Sequence, residues 1–150
     1  MSVLLARNRR VIEECFLWAN QRRAFQGRKL LDQPVIRYKL GDMISQNEAC
    51  FALFERVIHL FNTSSLDQRA QLGGITAFLK FRATRTATAI ADHASQIVGG
   101  RAVTRSGPGK LVERFARSYK QVSIFGGSEE VLVDLGVRQA VKLLPHNARL

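Results

Sequence analysis

Residues 72–100, LGGITAFLKFRATRTATAIADHASQIVGG, carry the reading that decides the fold. Leu72, Ile75, Leu79, Thr86, Ile90 and Ile97 fall at three-, four- and seven-residue steps, the spacing that lines up one face of an α-helix. Between them lies a run of small residues: Ala83, Thr84, Ala87, Thr88, Ala89, Ala91, Ala94 and Ser95. Side chains this short let neighbouring helix axes approach closely, as the centre of a helical bundle requires. Gly73-Gly74 weaken the first turn by about 1 kcal/mol per glycine relative to alanine. Gly99-Gly100 end the helix.

The pattern extends in both directions. Upstream, Ile36, Leu40, Met43, Ile44, Phe51, Phe54, Ile58 and Phe61 form one apolar stripe of a second long helix. It is entered through Asp32-Gln33-Pro34, where a proline in the first turn costs no hydrogen bond. Asn62-Thr63-Ser64-Ser65 breaks it, and Asp67 starts again. An earlier helix is predicted from Ser2 to Ala24 on the spacing of Val3, Leu4, Val11, Ile12, Cys15 and Phe16, with Trp18 in its core and Phe25-Gln26-Gly27 closing it. Downstream, Thr104 to Gly109 is predicted as a non-helical loop, Lys110 to Lys120 as a shorter helix, and Ser128 to Leu143 as the last. No strand of useful length is predicted. The fold class is all-α, an up-down four-helix bundle, with one domain over residues 1–145 and a short tail over 146–150.

The 150 residues are 46% hydrophobic and 23% charged, a globular composition. No charge-free apolar run approaches the roughly 18 residues of a membrane-spanning helix, so a membrane is not an expected partner. Cys15 and Cys50 sit at apolar helical positions and read as buried free thiols in a reducing compartment. His59, His93 and His146 are scattered without metal-ligand spacing. Twenty-three Lys and Arg against 12 acids give a formal charge of +11. That excess faces either solvent or an anion: nucleic acid, a membrane surface, a phosphorylated cofactor or an acidic partner. The apolar spacing of Val3, Leu4, Val11, Ile12, Cys15 and Phe16 runs on past Arg7, Arg9 and Arg10, so these read as part of the first helix, not as a transit peptide.

Three places can carry chemistry. Arg22-Arg23-Ala24-Phe25-Gln26-Gly27 sets guanidiniums beside a flexible turn, which suits a pyrophosphate and also suits a helix C-terminus. Gln96-Ile97-Val98-Gly99-Gly100 permits a close backbone approach and is also a simple helix end. Ile124-Phe125-Gly126-Gly127-Ser128-Glu129-Glu130 offers free amides at a helix start, and the same residues serve as a cap.

Taken in order, these segments resemble the C-terminal helical domain of the acyl-CoA dehydrogenases. Gln96-Ile97-Val98-Gly99-Gly100 is similar to the family's Gln-x-x-Gly-Gly, and Val112-Glu113-Arg114-Phe115-Ala116-Arg117 to its Val-Glu-Arg-x-x-Arg. Arg22 to Phe25 resembles its Arg-x-x-Phe, and Gly127-Ser128-Glu129-Glu130 stands where the family has Gly-Thr-Ser-x. Residues 11–40 and 124–139 look closest to a fungal branch, some members of which carry a cytochrome b5 domain.

The resemblance implies pairing into a dimer or tetramer, with FAD as cofactor. Arg22, Phe25, Gln96, Gly99 and Gly100 inherit contacts to its pyrophosphate and adenosine across a subunit interface. Ser128 and Glu130 inherit contacts at the last helix start. The implied reaction takes a proton and a hydride from an acyl-CoA thioester, with electrons passing to a flavoprotein or oxygen. Three departures stand out. Gln26 is an extra residue between Phe25 and Gly27, expected to displace backbone donors. Gly126 occupies the usual position of the catalytic glutamate, with Glu129 and Glu130 the nearest substitutes and the alternative base position upstream of Met1. The family's N-terminal helical and middle β-domains have no counterpart in these residues, so the chain alone is not expected to be a competent dehydrogenase. The other readings are a self-associating bundle without catalysis and, ranked below it, a basic nucleic-acid binder, which lacks interleaved aromatics. Ala148-Arg149-Leu150 resembles a peroxisomal address, with mitochondria the alternative location.

Overall fold

A computed structural model describes residues 1–24 and 26–144. Phe25, His146 and Ala148-Arg149-Leu150 lie outside them, as do residue 145 and the whole 146–150 tail. The chain forms α1 (Ser2–Gln21), β1 (Arg23–Ala24), β2 (Arg28–Lys29), α2 (Pro34–Thr63), α3 (Leu66–Arg69), α4 (Gly73–Val98), α5 (Lys110–Ile124) and α6 (Glu129–Leu143). The all-α bundle of the sequence reading is present. α4 is its central member and packs against α1, α2, α5 and α6. Its small residues do what their size allows: Ala83, Ala87 and Ala94 are fully buried, and Ile90 fills the space between them. Leu5, Cys15, Leu40, Met43, Cys50 and Val112 close the core from the surrounding helices. Asn8 and Asn47 are buried with them.

α5 and α6 run one after the other along α4, both antiparallel to it. Lys80 Nζ donates to the carbonyl of Gly127, Arg85 lies 3.7 Å from Glu129, and Gly74 and Gly136 sit under Gln139 and Phe78 respectively. The Gly126-Gly127 turn is therefore a joint beside the first third of α4, and the Gly99 turn is at its far end. Nineteen residues of helix between Lys80 and Gly99 span about 28 Å.

Several local expectations need correction. The first helix ends at Gln21, not Ala24, because Arg23↔Lys29 and Ala24↔Arg28 pair as a short antiparallel hairpin. Two-residue strands are too short to leave an alternating pattern in the sequence. Gln26 takes a left-handed φ of 58° and Gly27 one of 76°, so the extra residue is absorbed in the hairpin turn. Gly107–Gly109 forms a single 3₁₀ turn, not a loop devoid of helix, because Gly109 is pressed against the Arg101 carbonyl where no Cβ would fit. α5 also continues one turn beyond Lys120, to Ile124, on the buried Ser123.

Candidate functional site

α1 and α4 end side by side. Arg22 leaves α1 in an extended conformation, its amide donating to the Trp18 carbonyl at 2.8 Å and its carbonyl accepting from Leu30 at 2.8 Å. Gly99 ends α4 with φ 69° and ψ −150°, a backbone that side chains rarely tolerate. Between the two exits lies a cleft of about 400 Å³ lined by Trp18, Arg22, Ala24, Leu30, Gly99 and Gly100, with Arg101 at its wall. The Arg101 guanidinium stands 5.0 Å from the centre of the Trp18 ring, a cation–π contact. Trp18, predicted as core, is half-buried and serves both the core and this wall. Gly100 has open space where a side chain would stand. Gln96 is exposed in the last turn of α4. Among the described residues no ion pair engages Arg22, whose guanidinium is exposed at the cleft. Its neighbour Arg23 reaches across the hairpin to the Gly27 carbonyl at 3.4 Å.

The second constellation surrounds the α5–α6 joint. Gly126 and Gly127 have φ of 71° and 108°, and Lys80 ties the Gly127 carbonyl to α4. Burial lowers the Lys80 pKa, and the Glu129 carboxylate opposes that shift. Ser128 precedes the first turn of α6, its carbonyl accepting from Leu132 at 3.0 Å. Glu130 is exposed, and a backbone amide at the helix start together with the Ser128 hydroxyl holds its carboxyl below the usual range. A depressed carboxyl is a weaker base. Glu129 turns inward, buried, with Oε2 3.7 Å from Arg85 and no partner on Oε1 among the described residues. The joint supplies no titratable group at Gly126 itself.

Arg22, Gly99 and Gly100 are thus brought together, and Ser128, Glu129 and Glu130 form a separate group about 28 Å away along α4. Sequence reading missed Arg101, Lys80 and Arg85 because each finds its partner far along the chain. Cys15 and Cys50 are buried and free, as read from the sequence, and Cys50 Sγ lies 3.3 Å from Thr86 Oγ1. His93 Nε2 lies 3.0 Å from Asp42 Oδ2. Among the described residues no cluster of three metal-ligating side chains occurs, and no helix is long and apolar enough to cross a membrane.

A family model described as "Acyl-CoA dehydrogenase, C-terminal domain" matches residues 1–141. The chain belongs to this family. Among curated relatives, the acyl-CoA dehydrogenase apdG of Emericella nidulans is 37% identical over 145 residues, 95% of this chain and 33% of the relative. The acyl-CoA dehydrogenase AFT10-1 of Alternaria alternata is 34% identical over 134 residues, 87% of this chain and 31% of the relative. The chain therefore spans about a third of the length of the acyl-CoA dehydrogenases it matches. Solved structures agree on the fold. Butyryl-CoA dehydrogenase from Megasphaera elsdenii superposes with a TM-score of 0.79 at 23% identity, covering 92% of this chain and 34% of that one. An acyl-CoA dehydrogenase from Geobacillus kaustophilus gives 0.81 at 18% identity, covering 91% and 34%.

Proposed function

We propose that this chain is the FAD-binding and subunit-pairing C-terminal portion of an acyl-CoA dehydrogenase-like flavoprotein, and that it is inactive by itself. The observation that carries this reading is the cleft where Arg22 meets the Gly99-Gly100 turn. A guanidinium with no carboxylate partner among the described residues, facing a backbone stripped of side chains, suits the pyrophosphate of a dinucleotide. The Trp18 and Arg101 wall gives the adjoining nucleoside an apolar and cationic surface. Bound FAD would supply the hydride acceptor for α,β-dehydrogenation of an acyl-CoA thioester, with a flavoprotein or oxygen as the later electron acceptor. The chain's own residues would hold and orient the cofactor. With Gly126 at the usual base position, and Glu129 turned toward Arg85, none of the described residues is set to take the α-proton.

Titration of FAD with the chain, followed by flavin fluorescence, tests the reading. The expected result is saturable quenching at micromolar protein. Arg22→Gln should weaken it about tenfold, the loss of one charge-assisted hydrogen bond. No acyl-CoA turnover is expected in either case. Unchanged fluorescence would remove the flavoprotein reading and leave the self-associating bundle. That alternative draws on the exposed apolar residues of α6, Val137, Val141 and Leu143.

A further inference from the structure

Away from the Arg22 cleft, α1 and α5 enclose a second cleft of about 490 Å³ lined by Arg7, Arg10, Arg114, Phe115, Ser118 and Gln121. Arg22, just past the end of α1, stands about 18 Å from Arg10 along the helix axis. The second cleft is built, not a loose cationic face. The Arg7 guanidinium is half-buried, lies 5.9 Å from the centre of the Phe115 ring, and donates to the Ser118 hydroxyl. That hydroxyl in turn donates to the Arg114 carbonyl at 2.7 Å, so both ends of its bonding are fixed and Arg7 is held in place. Phe115 is itself buried and stacked on Tyr119 with centroids 5.9 Å apart. Among the described residues no carboxylate lies within ion-pair distance of Arg7 or Arg114. Arg10 has only Glu13, at 3.9 Å with both side chains exposed, a pair worth little. Arg7, Arg10 and Arg114 thus line one concavity, and among the described residues no strong ion pair neutralises them. The one that is half-buried has lost part of its hydration, which increases the value of an anion there. The volume falls in the range of small-molecule sites.

We propose that this cleft binds the phosphate group of a soluble metabolite. Guanidiniums recognise phosphate through paired hydrogen bonds. Arg7, held by Ser118 and Phe115, supplies a positioned guanidinium with its remaining N–H groups to donate, Arg10 and Arg114 close on the anion from the two helices, and the Gln121 amide offers a neutral polar group.

Calorimetric titration with sodium pyrophosphate, against sodium chloride at matched ionic strength, tests the site. Using the Arg22→Gln chain keeps the outcome separate from the flavin reading, because the phosphate grip proposed there is then absent. Saturable binding of one pyrophosphate per chain is expected. Adding Arg114→Gln or Arg10→Gln, both at exposed positions, should weaken it at least about tenfold. Adding Arg56→Gln, exposed on α2, should leave it unchanged. Heats no larger than those of chloride would overturn the proposal, as would equal loss on Arg56→Gln. Arg114-dependent binding to phosphatidylserine vesicles without saturable pyrophosphate binding would overturn it too, and would assign the cleft to a membrane surface.

Discussion

Burial of Cys15 on the core-facing side of α1, with the neighbouring Glu14 carboxylate as the lesser cause, pushes its thiol pKa up to about 12. An unperturbed thiol ionises near 8.5. As pH rises between these values the unfolded chain gives up its proton and the folded chain keeps it. Stability from this group is complete below about pH 8.5 and is lost progressively toward pH 12. Urea unfolding at pH 8 and pH 10.5 should therefore show a decline that is smaller in Cys15→Ala, by on the order of 2 kcal/mol. An identical pH slope in the two proteins would contradict the burial. Iodoacetamide at pH 8 should label neither cysteine in the folded chain and both in denaturant. The apolar helical spacing around Cys15 and Cys50 made their burial legible in the sequence. The inward turn of Glu129 was not legible, because neighbouring acids at a helix start read alike until Arg85, 44 residues earlier in the chain, is placed beside one of them.

For the elements, helix existence was legible and helix ends were less so. Long apolar stripes integrate over many turns, whereas an exit depends on one or two residues and on contacts from elsewhere in the chain. The ending of α1 is decided by the Arg23↔Lys29 pairing, and the Gly107–Gly109 turn by close approach to Arg101. Two glycines inside helices show how packing overrides propensity. Gly41 in α2 has open space where its side chain would be, so Gly41→Ala should stabilise the chain by about 0.5–1 kcal/mol. At Gly136 in α6 an added Cβ would lie 2.5–2.8 Å from three atoms of the Phe78 ring. The same gain in propensity is then outweighed by the separation it forces between α4 and α6, for a net loss of about 1–2 kcal/mol. Thermal unfolding of the two variants should shift in opposite directions. A stabilised Gly136→Ala would mean that the α4–α6 contact yields freely.

For the whole molecule, α4 is a rod that separates the two candidate sites. The sequence order of the motifs made both ends recognisable, but only the fold shows that Arg22 and Gly99 share a cleft and that Ser128 does not. The intervening span of about 28 Å is longer than the arm joining a flavin ring to its phosphates, so one bound FAD cannot touch both ends of one chain. It can touch both only if a second copy brings its α5–α6 joint to the first copy's cleft. Hydrogen exchange separates these arrangements. With FAD added to dilute chain that sediments as a monomer, amides in residues 22–30 and 97–103 should be protected, and those in 124–132 should exchange as before. At concentrations where the chain sediments as a dimer, protection should extend to 124–132 if, as proposed, the flavin lies between the Arg22 cleft of one copy and the Ser128 turn of the other. Simultaneous protection of both segments in a strictly monomeric sample would require α4 to bend or α6 to leave it. The tie between Lys80 and the Gly127 carbonyl would then have to break.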